Sequence, residues 1–232
     1  MRLYLLDVKQ LQNEEADSEL CDRARSLIDS HRRDKADKCK ISSARGLSLG
    51  AGLALQLAVR GYTDGEADES RHPIELTAGE AIELLEGYGE PLNLSYLTNE
   101  NGKPYLDPDM VLPMVMDKIP FISVSHSGSY VALAVSEHEV GADIQQKKLI
   151  NTERISGRFF TESENYLISG DRDMFFTIWS RKEAWGKCEG GGLESAIKMD
   201  LSDISGKLSL DHIWYEACVP EGYALCVCEK KN

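Results

Sequence analysis

The stretch MFFTIWSRKEAWGKCEGGGL, from Met174 to Leu193, constrains the chain more than any other. Its apolar residues recur at helical spacing, and the glycine run that follows cannot continue a helix. The pattern predicts one helix over Met174–Cys188, with Phe175, Ile178 and Trp179 on its buried side. Glu183 and Lys187 are four residues apart and therefore stand on one face. Alone, such a pair is a surface ion pair worth about 0.3 kcal/mol. The segments around it give it more to do.

Upstream, Met1–Val8 is a short apolar run expected to be a buried strand, and Glu14–Ser30 carries Leu20, Ala24, Leu27 and Ile28 at helical spacing. Gly46–Val59 reads as a buried helix and Gly61–Pro73 as a loop. Thr77 and Glu80 form a capping-box pattern ahead of a helix to about Glu86, and Thr161 with Glu164 repeats it. Asn151–Phe160 reads as a helix. Leu92–Leu97 alternates as a strand does, and Asn101–Pro104 is a turn signal with Lys103 at its tip. Phe121–Ser125 and Tyr130–Ser136 form a hairpin whose turn is HisSerGlySer, and Val140–Ile144 is a further strand. Ala196–Leu201, Lys207–Val219 and Tyr223–Glu229 read as strands, the last two joined by a ProGluGly turn. Each half of the chain thus has helices followed by a strand pair. The expected fold is α+β, a pseudo-dimer of two similar α/β lobes, residues 1–139 and 140–232, with an active-site cleft between them.

The net charge of −13 argues against a general nucleic-acid binder. Six scattered cysteines include no CxxC, which removes the common zinc and redox motifs. With no secretory leader and no apolar run long enough to span a bilayer, the expectation is a cytoplasmic protein with reduced thiols and no membrane partner.

Three local patterns carry possible chemistry. His31–Arg45 holds six Lys or Arg against two Asp inside an acidic chain, which suits either a solvated helix face or an anion site. Arg45 is favoured for phosphate because a guanidinium can grip two oxygens at once. Ser125, Ser127 and Gly128 offer hydroxyls and amides beside His126 that could cradle a phosphate. Asp143 sits between apolar neighbours in a strand, where an unpaired carboxylate is costly. It calls for a metal, a cation or a helix N-terminus.

Taken together, these pieces resemble the 4′-phosphopantetheinyl transferase superfamily, in its longer, two-lobed, synthetase-activating form. The resemblance rests on the basic run ending at Arg45, AsnGlyLysPro at 101–104, SerHisSerGly at 125–128, GlyAlaAspIle at 141–144 and TrpSerArgLysGluAlaTrpGlyLys at 179–187. It implies transfer of the phosphopantetheine arm of coenzyme A to a serine of an apo acyl or peptidyl carrier protein, with release of adenosine 3′,5′-bisphosphate. It implies that Asp143 and Glu183 hold Mg²⁺, with Lys187 directed at the same diphosphate. Arg45, Lys103, Ser125, His126 and Lys187 would contact coenzyme A. Glu183, a metal-bound water or Lys187 would take the serine proton. The family places a second carboxylate where this chain has Gln145, so Gln145 would ligate weakly or through water, and the metal requirement would be weaker. Two lobes in one chain lead to the expectation of a monomer. The rival reading is a module that binds coenzyme A or a nucleotide without transferring anything.

Overall fold

A computed structural model describes residues 1–13, 15–63, 72–109, 119–197, 199–203 and 211–231. The described residues form a mixed α+β fold. In chain order they give β1 (Arg2–Asp7), a 3-10 turn (Gln10–Gln12), α1 (Ser18–Ser26), α2 (Ser30–Asp37) and α3 (Ser42–Thr63). Then come β2 (Ile74–Thr77), α4 (Ala78–Tyr88), the short hairpin β3 (Tyr96–Thr98) and β4 (Pro104–Leu106), β5 (Phe121–Ser127), β6 (Tyr130–Ser136) and β7 (Val140–Gln146). The remainder is α5 (Thr152–Phe159), α6 (Glu162–Ile168), α7 (Arg172–Glu189), α8 (Gly192–Ala196), β8 (His212–Glu216) and β9 (Tyr223–Lys230). No helix of the described residues is long and apolar enough to cross a membrane.

One sheet has the order β2-β1-β6-β5 and a second the order β7-β9-β8. Alternation of side chains explains how they stack. In β1, Tyr4 and Leu6 join a core with α1, α3 and α4, whereas Leu3 and Leu5 point the other way, into a second core. β6 divides likewise, with Val131, Leu133 and Val135 toward the helices and Ala132 and Ala134 opposite. That second core is completed by Val140, Ala142 and Ile144 of β7 and Leu225 and Val227 of β9. The first sheet is therefore buried on both faces, which is why β1 reads as a nearly continuous apolar run. The outward face of the second sheet, with Ala224, Cys226 and Cys228, packs on α7. Layer by layer, the order is helices, sheet, sheet, helix.

A ladder of serines joins the two sheets. Ser123, Ser125 and Ser127 of β5 accept through Oγ from the backbone N–H groups of Ala142 (2.9 Å), Ile144 (3.3 Å) and Gln146 (2.9 Å) of β7. Edge strands otherwise leave such donors unpaired. The spacing of two along β5 matches the spacing of two along β7, so each hydroxyl meets one amide.

Several expectations change. The helix expected over Glu14–Ser30 is confined to Ser18–Ser26, and Glu14 itself lies outside the described residues. α3 continues through Gly61 to Thr63, where a loop was expected, and residues 64–71 of that loop lie outside the described residues. The strand expected over Leu92–Leu97 starts only at Tyr96. His126 and Ser127 belong to strand β5, and the hairpin closes at Gly128–Ser129 with Ser127 opposite Tyr130. The strand expected over Ala196–Leu201 is absent among its described residues, Lys198 lying outside them: Ala196 ends α8, and the carbonyls of Ala196, Met199 and Leu201 accept from Lys182 and Arg181 of α7. Those cations take the acceptors that a strand ladder would need. Of the strand expected over Lys207–Val219, His212–Glu216 is observed, and residues 204–210 lie outside the described residues.

Lys182 is wholly buried, as is its partner Glu164, with Nζ 3.0 Å from Oε2. The same carboxylate accepts from the N–H groups of Thr161 and Leu201, so it anchors α6 and the segment after α8 to α7. Lys182→Met strands this buried charge and should cost about 3–5 kcal/mol, read by urea denaturation. The double change Lys182→Met/Glu164→Gln should recover a large part. A single variant within about 1 kcal/mol of the parent would contradict the assignment.

Candidate active site

The site is built where α7 lies on β7. Gly141 makes that approach possible: a Cβ there would stand 1.9 Å from the Ala184 carbonyl oxygen and 2.5 Å from the Cys188 nitrogen. No larger residue fits beneath the helix without moving it. The N-terminus of α7 is capped by Asp171, which accepts from the N–H groups of Asp173 (2.8 Å) and Met174 (3.1 Å). At its other end Gly190 adopts a left-handed conformation, φ 75°. Phe175 stacks on Phe160 and on Trp179, which seats the apolar side of α7 as its spacing predicts. The helix then turns Glu183 and Lys187 toward β7.

Asp143 is 2% exposed. Its Oδ1 accepts from Ser125 Oγ at 2.8 Å and from Lys187 Nζ at 2.7 Å, and its Oδ2 accepts from Gln145 Nε2 at 2.8 Å. Lys187 also donates to the Ala142 carbonyl at 3.1 Å. The cation that the strand position called for is Lys187. Lys187, read from spacing as a partner of Glu183, pairs with Asp143 and acts on Glu183 through its charge.

Glu183 is half-buried on the same side of α7. Burial first, and the charge of Asp143 second, raise its carboxyl above the usual range, with Lys187 working the other way. On the next strand, His126 opens to solvent on one side, yet burial first, then Lys187 and Lys35, hold its imidazole below the ordinary histidine value. Arg32 adds to that push, and Lys35 is itself lowered by burial and then by Arg32. Cations from α2 and α7 therefore converge on His126. Helix α2 is fixed there by Asp29, which accepts from Arg32 N–H at 3.0 Å and from the Tyr96 hydroxyl at 2.8 Å.

Ser125, His126, Asp143, Gln145, Glu183 and Lys187 are brought together. Two other residues singled out in the sequence stand elsewhere. Arg45, in the first turn of α3, donates through Nη2 to the Cys39 carbonyl at 2.9 Å. Lys103 pairs closely with Glu139 and donates to the Cys188 carbonyl at 2.9 Å, while Asn99 donates to the Gly190 carbonyl at 3.1 Å. The β3–β4 hairpin thus caps the C-terminal carbonyls of α7, where a cation is favoured by the helix dipole. Gly141, Ser123, Arg32 and Lys35 were not assigned to the site from the sequence, and Ser127, read there as part of a phosphate cradle, accepts instead from the Gln146 N–H. A glycine inside a strand and serines at alternate positions were the available signals.

The raised carboxyl has a measurable consequence. A glutamate that holds its proton more firmly when folded makes stability fall as pH rises from the ordinary glutamate value through the raised one, and the deficit is complete above it. Glu183→Gln removes that deficit. In the presence of a chelator, its Tm relative to the parent should rise as pH increases from the ordinary glutamate range through the raised one. A difference that stays constant over that range would show that Glu183 is not perturbed.

A family model described as the 4′-phosphopantetheinyl transferase superfamily matches residues 139–228. A 4′-phosphopantetheinyl transferase of Bacillus subtilis is 32% identical over 148 residues, 60% of this chain and 58% of that protein. The 4′-phosphopantetheinyl transferase Sfp of Bacillus subtilis (strain 168) is 37% identical over 124 residues, 51% of this chain and 50% of its own length. The 4′-phosphopantetheinyl transferase AcpT of Salmonella typhi is 30% identical over 138 residues, 54% of this chain and 67% of its own length. The chain spans about half to two thirds of the length of these curated relatives. The family match covers the β7–α7 junction, where Asp143, Glu183 and Lys187 meet, and the chain belongs to the 4′-phosphopantetheinyl transferase superfamily.

Proposed function

We propose that this chain transfers the 4′-phosphopantetheine arm of coenzyme A to a serine hydroxyl of an apo acyl or peptidyl carrier protein, releasing adenosine 3′,5′-bisphosphate. The observation that carries the reading is the convergence of Asp143, Glu183 and Lys187 beneath α7, beside cations from α2. In this reading the fold is a pseudo-dimer of two lobes, residues 1–139 and 140–232, with the cleft where β5 meets β7. The first lobe contributes coenzyme A contacts and the second the metal site. The chain acts as a cytoplasmic monomer.

The carboxylates of Asp143 and Glu183 fit Mg²⁺ in kind, being hard oxygen donors close enough for the charge of one to raise the other. Gln145 now turns its amide nitrogen to Asp143, so it would contribute its oxygen only by rotating, or leave that place to water. Bound there, magnesium would stabilise charge on the coenzyme A diphosphate.

The side chains divide the remaining work. Lys187, held by Asp143 and the Ala142 carbonyl, keeps an ammonium at the diphosphate. Lys35 and Arg32 beside His126 give an acidic protein a local positive field suited to phosphates, and in this reading Arg45 and Lys103 would reach coenzyme A only by leaving the Cys39 and Cys188 carbonyls they now hold. Ser125 positions Asp143. As the carrier serine oxygen bonds to the phosphorus, its proton passes to Glu183 and the bisphosphate leaves with the electrons of the broken P–O bond. Glu183 suits the task because its carboxylate stands on the side of α7 that faces β7, whereas Lys187 is occupied as a donor.

Intact-mass spectrometry of an apo carrier protein incubated with this protein, coenzyme A and magnesium tests the reading. The carrier should gain one phosphopantetheine, and Glu183→Gln should slow the gain by about 10²-fold or more. No gain on acyl and peptidyl carriers alike, with coenzyme A still bound, would instead favour a binding module.

A further inference from the structure

Behind the site, α7 and the second sheet enclose a group that the chemistry above does not use. Cys188 in the last turn of α7, His212 of β8 and Cys228 of β9 are all buried, and one ligating atom of each lies within 4.8 Å of the others. Strand register explains the meeting. Trp214 is opposite Cys228 and His212 is opposite Lys230, so His212 and Cys228 share the face that packs on α7. Three separate elements supply the three side chains.

Buried cysteines are commonly small apolar fillers. Two features set this group apart from filler. His212 Nε2 lies 2.8 Å from Glu189 Oε1, and Glu189 in turn meets Lys230 Nζ at 3.0 Å. A carboxylate that holds one ring nitrogen in this way fixes the tautomer and directs the other nitrogen, as it does for imidazoles that ligate metals. In addition, the indole N–H groups of Trp185 and Trp214, in the same apolar cluster, are buried with no hydrogen-bond acceptor among the described residues. Thiolates would place acceptors in that cluster.

We propose that Cys188, His212 and Cys228 form a structural site for a soft, thiophilic divalent cation of the zinc class, separate from the oxygen-lined site at Asp143 and Glu183. Two thiolates and a divalent ion sum to zero, which suits a buried place. Metal–sulfur bonds of about 2.3 Å and a metal–nitrogen bond of about 2.0 Å put tetrahedral ligands within the observed separation. Burial first, and the neighbouring Cys188 second, push the Cys228 thiol far above its ordinary value. Binding forms two metal–sulfur bonds and one metal–nitrogen bond and releases two thiol protons to solvent. Because Cys188 follows Lys187, the ion braces the helix end that presents Lys187 to Asp143.

Cobalt(II) titration of the reduced, chelator-stripped full chain, followed by absorption, tests this directly. Sulfur-to-cobalt charge-transfer bands with tetrahedral ligand-field bands should saturate at one ion per chain and disappear when zinc is added. Cys228→Ser and His212→Gln should each weaken cobalt binding about tenfold or more, and Cys218→Ser, at an exposed position, should leave it unchanged. Circular dichroism checks that each variant is folded, and His212→Gln keeps both thiols if Cys228→Ser does not fold. Absence of the bands in folded parent protein would overturn the proposal. So would bands that survive His212→Gln and Cys228→Ser but vanish in Cys218→Ser.

Discussion

A carboxylate 2% exposed in the middle of a strand is the constraint on which the rest of the site depends. Asp143 can stay charged there only if donors reach both of its oxygens. They come from three elements: Ser125 of β5, Gln145 of β7 itself and Lys187 of α7. Satisfying one charge therefore fixes the edge of the first sheet, the edge of the second and the helix above them. The serine ladder extends the same logic along the seam, and Gly141 lets the helix come close enough for Lys187 to reach.

Helix α7 shows how four charged residues within seven positions can do different jobs. Arg181 binds Glu216 and the Leu201 carbonyl, and Lys182 is buried with Glu164, so both serve packing. Glu183 and Lys187 lie on the side that faces β7 and serve the site. The acidic balance of the chain leaves the converging cations of α2 and α7 as a local exception. Burial first and these cations second depress His126, and an anionic ligand would relieve the cations' share. An acidic partner of the kind proposed above would meet the same region more readily than the rest of the surface.

Much of the fold was legible because local chemistry decides it. Both capping boxes are formed as their sequences predict, at Thr77 with Glu80 and at Thr161 with Glu164. The strands β1, β5, β6, β7 and β9 follow from short apolar runs bounded by turn signals. What failed was decided at a distance. Residues 196–201 have strand-like composition, but buried cations of α7 claim their carbonyls, and no local pattern reveals that. That Asp143 needs a partner, and that Glu183 and Lys187 share a helix face, were readable because an acid inside an apolar strand and a pair four apart on a helix are local signals. That Lys187 would pair with Asp143, that Lys103 would cap α7, and that Arg32 and Lys35 would face His126 depend on which elements pack together.

Calorimetry of coenzyme A binding, with and without magnesium, on the parent and on Asp143→Asn bears most directly on the role given to Asp143. The account predicts that Asp143→Asn still unfolds cooperatively but loses the magnesium-dependent part of the affinity, by about tenfold or more. Equal affinity of the two proteins in magnesium would contradict it.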